Sequence, residues 1–357
     1  MQRRLIDGNE TIRETTMERF TPRRRHKLQL LLAIVALAPW TPAMAQDVKP
    51  RTIKFATQNP KGHPIVIGME KFAELVSARS GGKIKVNLFP GGVLGGDAQN
   101  VSALQGGTLE MASMNAGILA AQVKEFAVFD FPFMFGSAQE ADGVVDGPFG
   151  KMMFEKLEPK NIHGLAYWEL GFRSLTNGRR PINRIEDIAG LKLRVIPNAI
   201  NIDWVTAVGA NPTPMAFPEV YAALEQRAID GQENPLSVIL ANRFQEVQKH
   251  LTITNHQYNP QAVIVSKRFW GALSDAEKKL LSDAAADATP LQRSSAREQN
   301  ASALEQLKKG GMQVTEVTGA ELQKFRDKVK PVIDKHSAIV GVEVVTALQN
   351  ELARSRK

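Results

Sequence analysis

Between Gly190 and Asn234 the spacing of apolar residues switches back and forth between the period of a strand and that of a helix, which leaves such a chain few folds. Leu191, Leu193 and Val195 alternate with Lys192 and Arg194, predicting a short strand that Pro197 stops. A helical stretch follows, then a second strand carrying Met215 and Phe217, a helix begun by Pro218, and the Asp230-Gly231 turn before Gln232-Glu233-Asn234. Strands and helices in alternation specify an α/β fold. Each connection returns a polar or aromatic side chain towards one sheet edge, where open α/β sheets bind ligands.

The segments RVIPN and PMAFPEVYAALEQRAIDGQENP in this stretch are similar to the extracytoplasmic solute-binding proteins of tripartite ATP-independent periplasmic (TRAP) transporters, the DctP-type family. The resemblance runs from about Thr52 to about Phe269, with several separated motifs in the right order. It implies a periplasmic binding protein-like fold of type II, with two α/β domains joined by hinge strands and spanned by a long helix. The expected division is a signal peptide at 1–45, domain I at 46–170 plus 260–299, and domain II at 171–259 plus 300–357.

The leader carries Arg23, Arg24, Arg25, His26 and Lys27 before the apolar run from Leu28 to Trp40, and Ala43-Met44-Ala45 ends it. That predicts export to the periplasm, with cleavage before Gln46. The apolar run is too short to anchor the chain in a bilayer, so no stable membrane insertion of the mature chain is expected. Of the formal charge of +8, the leader accounts for +4 (eight Lys or Arg against four acids). The remaining bases are scattered among acids, which argues against a nucleic-acid patch, while a modest positive field suits anionic ligands. With no cysteine, disulfides, thiolate metal sites and a cysteine nucleophile are excluded.

Along the mature chain, Thr52–Thr57 and Lys83–Phe89 read as strands around a helix bearing Met69, Phe72, Ala73 and Val76. The loop PGGVLGGD (90–97) lacks the ending of a phosphate-binding loop, and Asp97 at its end reads as a helix cap first and a ligand contact second. Leu109–Asn115 reads as a strand delivering Asn115 to a sheet end, and Phe126, Phe129, Phe131, Phe133 and Phe135 as packing. A helix over 138–157 and a strand over 162–168 follow, with a crossing between domains at Gly171–Asn177. Beyond the cassette come a helix from Pro235 to about Val247 and strands at 251–255 and 262–266. Ser274-Asp275-Ala276-Glu277 is a capping box opening a helix to about Lys309, interrupted at Pro290. A strand near 312–317, a second capping box at Thr318–Glu321 and two helices end the chain.

Arginine presents a rigid fork that grips a carboxylate through two parallel hydrogen bonds and stays charged. The resemblance implies that Arg194 pairs with the carboxylate of a small-molecule organic acid, that Arg173 and Asn234 add hydrogen bonds, and that Phe217 packs on the ligand. It places Gln58, Asn115, Asn198 and His256 near the variable end. Amides and an imidazole match hydroxyls better than a second carboxylate, which favours a sugar acid such as a hexuronate. A C4-dicarboxylate, or a keto or hydroxy acid, is the alternative, with Arg173 on the second carboxylate. TRAP membrane permease subunits are the implied partners, and an adaptor presenting ligand to a sensor would share the same fold and site. The chain shows no GxSxG, HExxH or paired histidines, so catalysis, a metal or a cofactor is not expected; Asp230 and Glu233 read as helix-capping acids.

Overall fold

The computed structural model describes residues 48–356; the leader and its cleavage point lie outside them. Among the described residues nine strands occur in the order β1 (Arg51–Thr57), β2 (Ile84–Phe89), β3 (Met111–Asn115), β4 (Ile162–Asn177), β5 (Lys192–Val195), β6 (Asn211–Pro214), β7 (Gly231–Asn234), β8 (His250–Ser266) and β9 (Gln313–Glu316). The helices are α1 (Pro64–Arg79), α2 (Asp97–Gly106), α3 (Ala138–Asp146), α4 (Pro148–Glu155), α5 (Ala199–Ala207), α6 (Val220–Glu225), α7 (Leu236–Ala241), α8 (Lys267–Gly271), α9 (Asp275–Lys309), α10 (Gly319–Val340) and α11 (Val342–Ser355). Both ends of the sheet are parallel, β2-β1-β3 and β7-β5-β6, and the antiparallel pair β8-β4 joins them, giving the order β2-β1-β3-β8-β4-β7-β5-β6 with β9 against β8.

Local chemistry accounts for most boundaries. The His63 ring accepts a hydrogen bond from Ile65 N at 3.2 Å and Pro64 occupies the first turn, so α1 starts there. Met69, Phe72 and Val76 then fall on one face, fully buried with Phe55 of β1. Burying each such side chain contributes about 2 kcal/mol. Gly147 and Pro148 divide the helix expected over 138–157 into α3 and α4. Arg243, left-handed at φ 57°, ends the helix expected to reach Val247. The second cassette strand, β6, stops at Pro214, so Met215 and Phe217 lie beyond it; its prolines suit an edge strand. Phe126, Phe129, Phe131 and Phe135 are buried in the largest apolar cluster.

β4 and β8 differ most from the sequence pattern. β4 was expected as a strand over 162–168 followed by a crossing between domains, and β8 as two short strands; each is one long strand, of 16 and 17 residues. Register shifts at Gly164/Ala166, Glu169/Gly171 and Arg173/Leu175 break the alternation that marks a strand in sequence without ending the pairing. Gly171 and Asn259, where the chain was expected to cross between domains, are register partners.

The 35-residue α9, about 50 Å long, passes through Pro290 without ending. Two residues on, buried Gln292 accepts from Glu169 N and donates to Glu169 O, both at 2.8 Å, clamping the helix to β4 at a register shift. The Ser274–Glu277 capping box forms as expected. At Thr318 only half of one forms: Thr318 accepts from Glu321 N, while the Glu321 carboxylate accepts from Ile185 N at 3.1 Å.

Glu277 also accepts from Lys49 N and from Arg51 Nε and Nη2 at 2.7–2.9 Å, tying the first strand to α9. Burial by itself would raise its carboxyl, but Arg51 and the backbone N–H groups of Ser274 and Lys49 hold it at about 2. Glu277→Ala is expected to destabilise the fold by about 3 kcal/mol, because Arg51 loses its partner. A thermal melt should fall by about 6 °C. Among the described residues no helix is long and apolar enough to cross a membrane.

Candidate functional site

A cavity of about 540 Å³ opens at the carboxyl ends of the parallel strands, where the β2-β1-β3 and β7-β5-β6 ends of the sheet face each other across β4 and β8. Six of the residues singled out in the sequence line it: Gln58, Asn115, Arg173, Arg194, Phe217 and Asn234. The glycine-rich loop forms part of its wall, and there Gly92, at φ +71°, leaves no room for a side chain between Gln58 and Pro218.

Arg194, buried in β5, donates from Nε and Nη2 to Met215 O at 3.0 and 2.9 Å. Met215 lies just beyond β6, so the end of that edge strand sets the guanidinium's orientation. Its Nη1 has no protein partner among the described residues, and Phe217 lies under the group with the ring centroid 5.6 Å from Cζ. Burial, and then the charge of Arg173, lower Arg194 to about 10, so it stays cationic at neutral pH. This is an oriented, poorly solvated positive charge with donors to spare.

Arg173 is held differently. Its fork pairs with Glu233: Nε donates to Oε2, and Nη2 to Oε1 at 2.7 Å and to the Glu233 carbonyl. Nη1 donates to Asn259 Oδ1 at 2.5 Å. Of its five N–H groups these use four, leaving one on Nη1. Burial would raise the Glu233 carboxyl, but Arg173, and then His256, hold it down at about 2. Glu233 is therefore a buried strand residue paired with an arginine, and the expectation of a helix-capping acid is corrected. Asp230 instead accepts from Lys192 N at 2.8 Å at the turn into β7.

The remaining wall is rich in acceptors. Gln58 Nε2 donates to Gly95 O at 2.9 Å, which leaves Oε1 buried and unpartnered. Asn115 Oδ1 accepts from Gly117 N at 2.6 Å, which leaves Nδ2 free as a donor. Ser113 Oγ, Gln261 Oε1 and Asp97 Oδ1 are also buried without partners. Asp97 is the first residue of α2, whose cap position Gly96 takes, so the expectation of an Asp97 cap is corrected. Burial pushes the Asp97 carboxyl up to about 6, against the pull of Arg194 and the Gln58 amide.

Residues 55–338 match the family model for DctP, bacterial extracellular solute-binding protein, family 7. The chain belongs to this family. It is a TRAP extracytoplasmic solute-binding protein for organic acids, with the type II periplasmic-binding fold. The C4-dicarboxylate-binding periplasmic protein DctP of Rhodobacter capsulatus is 35% identical to it over 321 residues, 88% of this chain and 94% of that one. A TRAP periplasmic solute-binding protein of Ochrobactrum anthropi, with a C-terminus bound in its ligand-binding pocket, is 54% identical at a TM-score of 0.78, covering 87% of this chain and 97% of that one. The sugar acid binding protein DctPAm of Advenella mimigardefordensis, in complex with galactonate, is 40% identical at a TM-score of 0.85, covering 87% and 100%.

Two residues expected at the site of this DctP-family chain lie elsewhere. Asn198 stands at the cap position of α5 without a capping hydrogen bond and turns away from the cavity, donating to Gly117 O at 3.0 Å and Asp130 Oδ2 at 2.9 Å. His256 is fully buried behind the ion pair, between Trp204 and Phe325, with Nδ1 2.8 Å from Thr254 Oγ1 and Nε2 3.3 Å from Glu233 Oε2. Burial lowers its pKa against the pull of Glu233, so the ring is neutral at pH 7 and supports the pair. Conversely, Ser113 and Gln261 line the cavity although the sequence reading passed over them. Ser113 was findable, since strand period two puts it on the same face as Asn115. Gln261 was not, because only the pairing of β3 with β8 sets it opposite Asn115.

Proposed function

We propose that this chain captures a sugar acid such as a hexuronate in the periplasm, after export by the cleavable leader at 1–45, and delivers it to TRAP membrane permease subunits. The observation that carries the reading is Arg194: a buried, oriented guanidinium with a spare Nη1 in a cavity whose other unpartnered polar atoms match hydroxyls. The ligand carboxylate pairs with Arg194 and takes the remaining Nη1 hydrogen of Arg173, Asn234 adds a hydrogen bond, and Phe217 covers the apolar face of the sugar. Gln58 Oε1, Gln261 Oε1 and Asp97 need donors opposite them, and ligand hydroxyls supply these where a second carboxylate would be repelled. Arg173, committed to Glu233, has no free fork for a second carboxylate, which weighs against a C4-dicarboxylate. Galactonate, a peptide C-terminus and a C4-dicarboxylate, named with the three relatives, share one carboxylate and differ beyond it. That pattern supports a fixed arginine with a variable remainder.

In this reading residues 46–170 plus 260–299 and 171–259 plus 300–357 are two domains, with β4 and β8 as hinge strands and α9 spanning both. Ligand makes all its contacts only when the domains meet around it, so binding shifts an open-closed equilibrium towards the closed form. The closed form is what the permease recognises. The chemistry is capture and release, with no bond made or broken.

The test is a thermal-shift panel on the chain from Gln46, with D-galacturonate, D-glucuronate, D-galactonate, succinate and pyruvate. At a hundredfold excess over Kd, binding adds about 2.7 kcal/mol and raises the melting temperature by about 5 °C. Selective shifts with the sugar acids are the expected result. A shift with succinate alone would overturn the sugar-acid reading while keeping the carboxylate role of Arg194.

A further inference from the structure

Outside the cavity the molecule buries a carboxylate without an ion-pair partner that ligand capture does not explain. Asp130, at the end of the 3-10 turn Lys124–Asp130, is fully buried, and no cationic side chain forms an ion pair with it among the described residues. Three neutral amides hold it instead. Asn198 Nδ2 and Asn201 Nδ2 donate to Oδ2 at 2.9 and 2.8 Å, and Asn259 Nδ2 donates to Oδ1 at 3.3 Å. Each amide's orientation is fixed by its other bonds. Asn201 Oδ1 accepts from Trp204 Nε1 at 3.1 Å, Asn259 Oδ1 accepts from Arg173, and Asn198 Nδ2 also reaches Gly117 O.

These bonds connect parts of the chain that lie far apart in sequence. Asn198 and Asn201 belong to the cap and first turn of α5, in the β5-α5 connection. Asp130 and Gly117 belong to the 3-10 turns after β3, and Asn259 to β8. The network begins and ends at the cavity: Asn115 holds Gly117, Gly117 and Asp130 hold Asn198, and Asp130 holds Asn259, which steadies Arg173. The space is tight, since any Cβ on Gly117 would overlap the Asp130 carboxylate. An isolated buried carboxylate costs stability unless hydrogen bonds offset it, and an apolar side chain there would be cheaper for the fold alone. Burial in fact pushes this carboxyl up to about 6, against Arg173, Asn198 and Asn201, with Glu233 adding to the push.

We propose that Asp130 is a positioning residue that latches the cleft: it holds α5 against the turns after β3 and, through Asn259, sets Arg173 in its binding orientation. The latch rests on the two-domain reading above, with α5 on one side of the cleft and Asp130 on the other. It forms only on closure, so it acts on ligand release more than on capture.

The test uses the absence of cysteine: Lys85→Cys and Gln226→Cys, both at exposed positions, take a spin-label pair on opposite ends of the sheet. Distance distributions are measured without ligand for the parent, Asp130→Asn, and Asp130→Asn combined with Asn201→Asp. The double variant restores a carboxylate facing amides, since an Asp at 201 still accepts from Trp204 and now also from an Asn at 130. Asp130→Asn is expected to move the population towards longer distances and the double variant to move it back. Identical distributions in all three would overturn the latch, whatever the ligand proves to be. Stopped-flow with D-galacturonate gives the second readout: Asp130→Asn should raise the dissociation rate about tenfold and leave association unchanged. A fall in association with unchanged dissociation would instead mean an ordinary structural role and would also overturn the proposal. If D-galacturonate binds none of the three, the ligand reading fails while the distance comparison still decides the latch.

Discussion

Arg194→Lys is expected to lower the affinity for a hexuronate by about a hundredfold, near 3 kcal/mol, measured by titration calorimetry. Two effects act together. A lysine keeps the charge but presents no planar fork, so one of two parallel bonds to the carboxylate is lost. It also releases Met215 O, which accepts two of the arginine's bonds and fixes its direction, so the remaining charge is less well aimed. Stability should change by only about 1 kcal/mol, the worth of one hydrogen-bonded carbonyl. An unchanged affinity would remove Arg194 from the centre of the site.

Glu233→Gln should lower stability by about 3 kcal/mol at pH 7, because Arg173 is then left as an uncompensated buried charge. The pH dependence identifies the cause. Glu233 is held near 2 in the fold against an ordinary value of 4.5. A carboxyl with a depressed folded pKa contributes stability that is fully present above its unfolded value and is lost as pH falls through the folded one. The gap between parent and variant, read by urea denaturation, should therefore be full at pH 7 and narrow steadily below pH 4.5. A gap that stays constant down to pH 3 would mean that packing, not the ion pair, sets the loss.

The two arginines separate roles that the sequence had joined. Both were expected to face a ligand carboxylate, and both line the cavity, but only Arg194 keeps donors in quantity, while Arg173 is neutralised in place by Glu233. The net charge of the arginine pair with Glu233 is thus +1, which suits a monoanion. On the proposed reading, the unpartnered acceptors of the cavity, Asp97 when ionised among them, reinforce that match.

What the sequence by itself determined is the alternation of strands and helices, the capped start of α9, and which short segments end at the cavity. These depend on local quantities: hydrophobic period, proline and glycine positions, and cap residues within a turn or two. Six of the eight residues singled out at the site line the cavity because each stands on a strand or just past its end, where period and chain direction fix the side chain's placement. The tertiary structure decided the rest. Asn198 stands at the start of α5 and His256 within β8, yet the side chain of one turns to Asp130 and the other supports Glu233 from behind. The continuity of β4 and β8 was likewise hidden, since register shifts erase the alternation while pairing with neighbours keeps the strand intact. The partner of Arg173, sixty positions away at Glu233, follows only from the antiparallel pairing of β4 with β7. In each case the deciding contact is made by residues distant in sequence, and a buried polar group takes whichever partner the packed chain brings within hydrogen-bond reach.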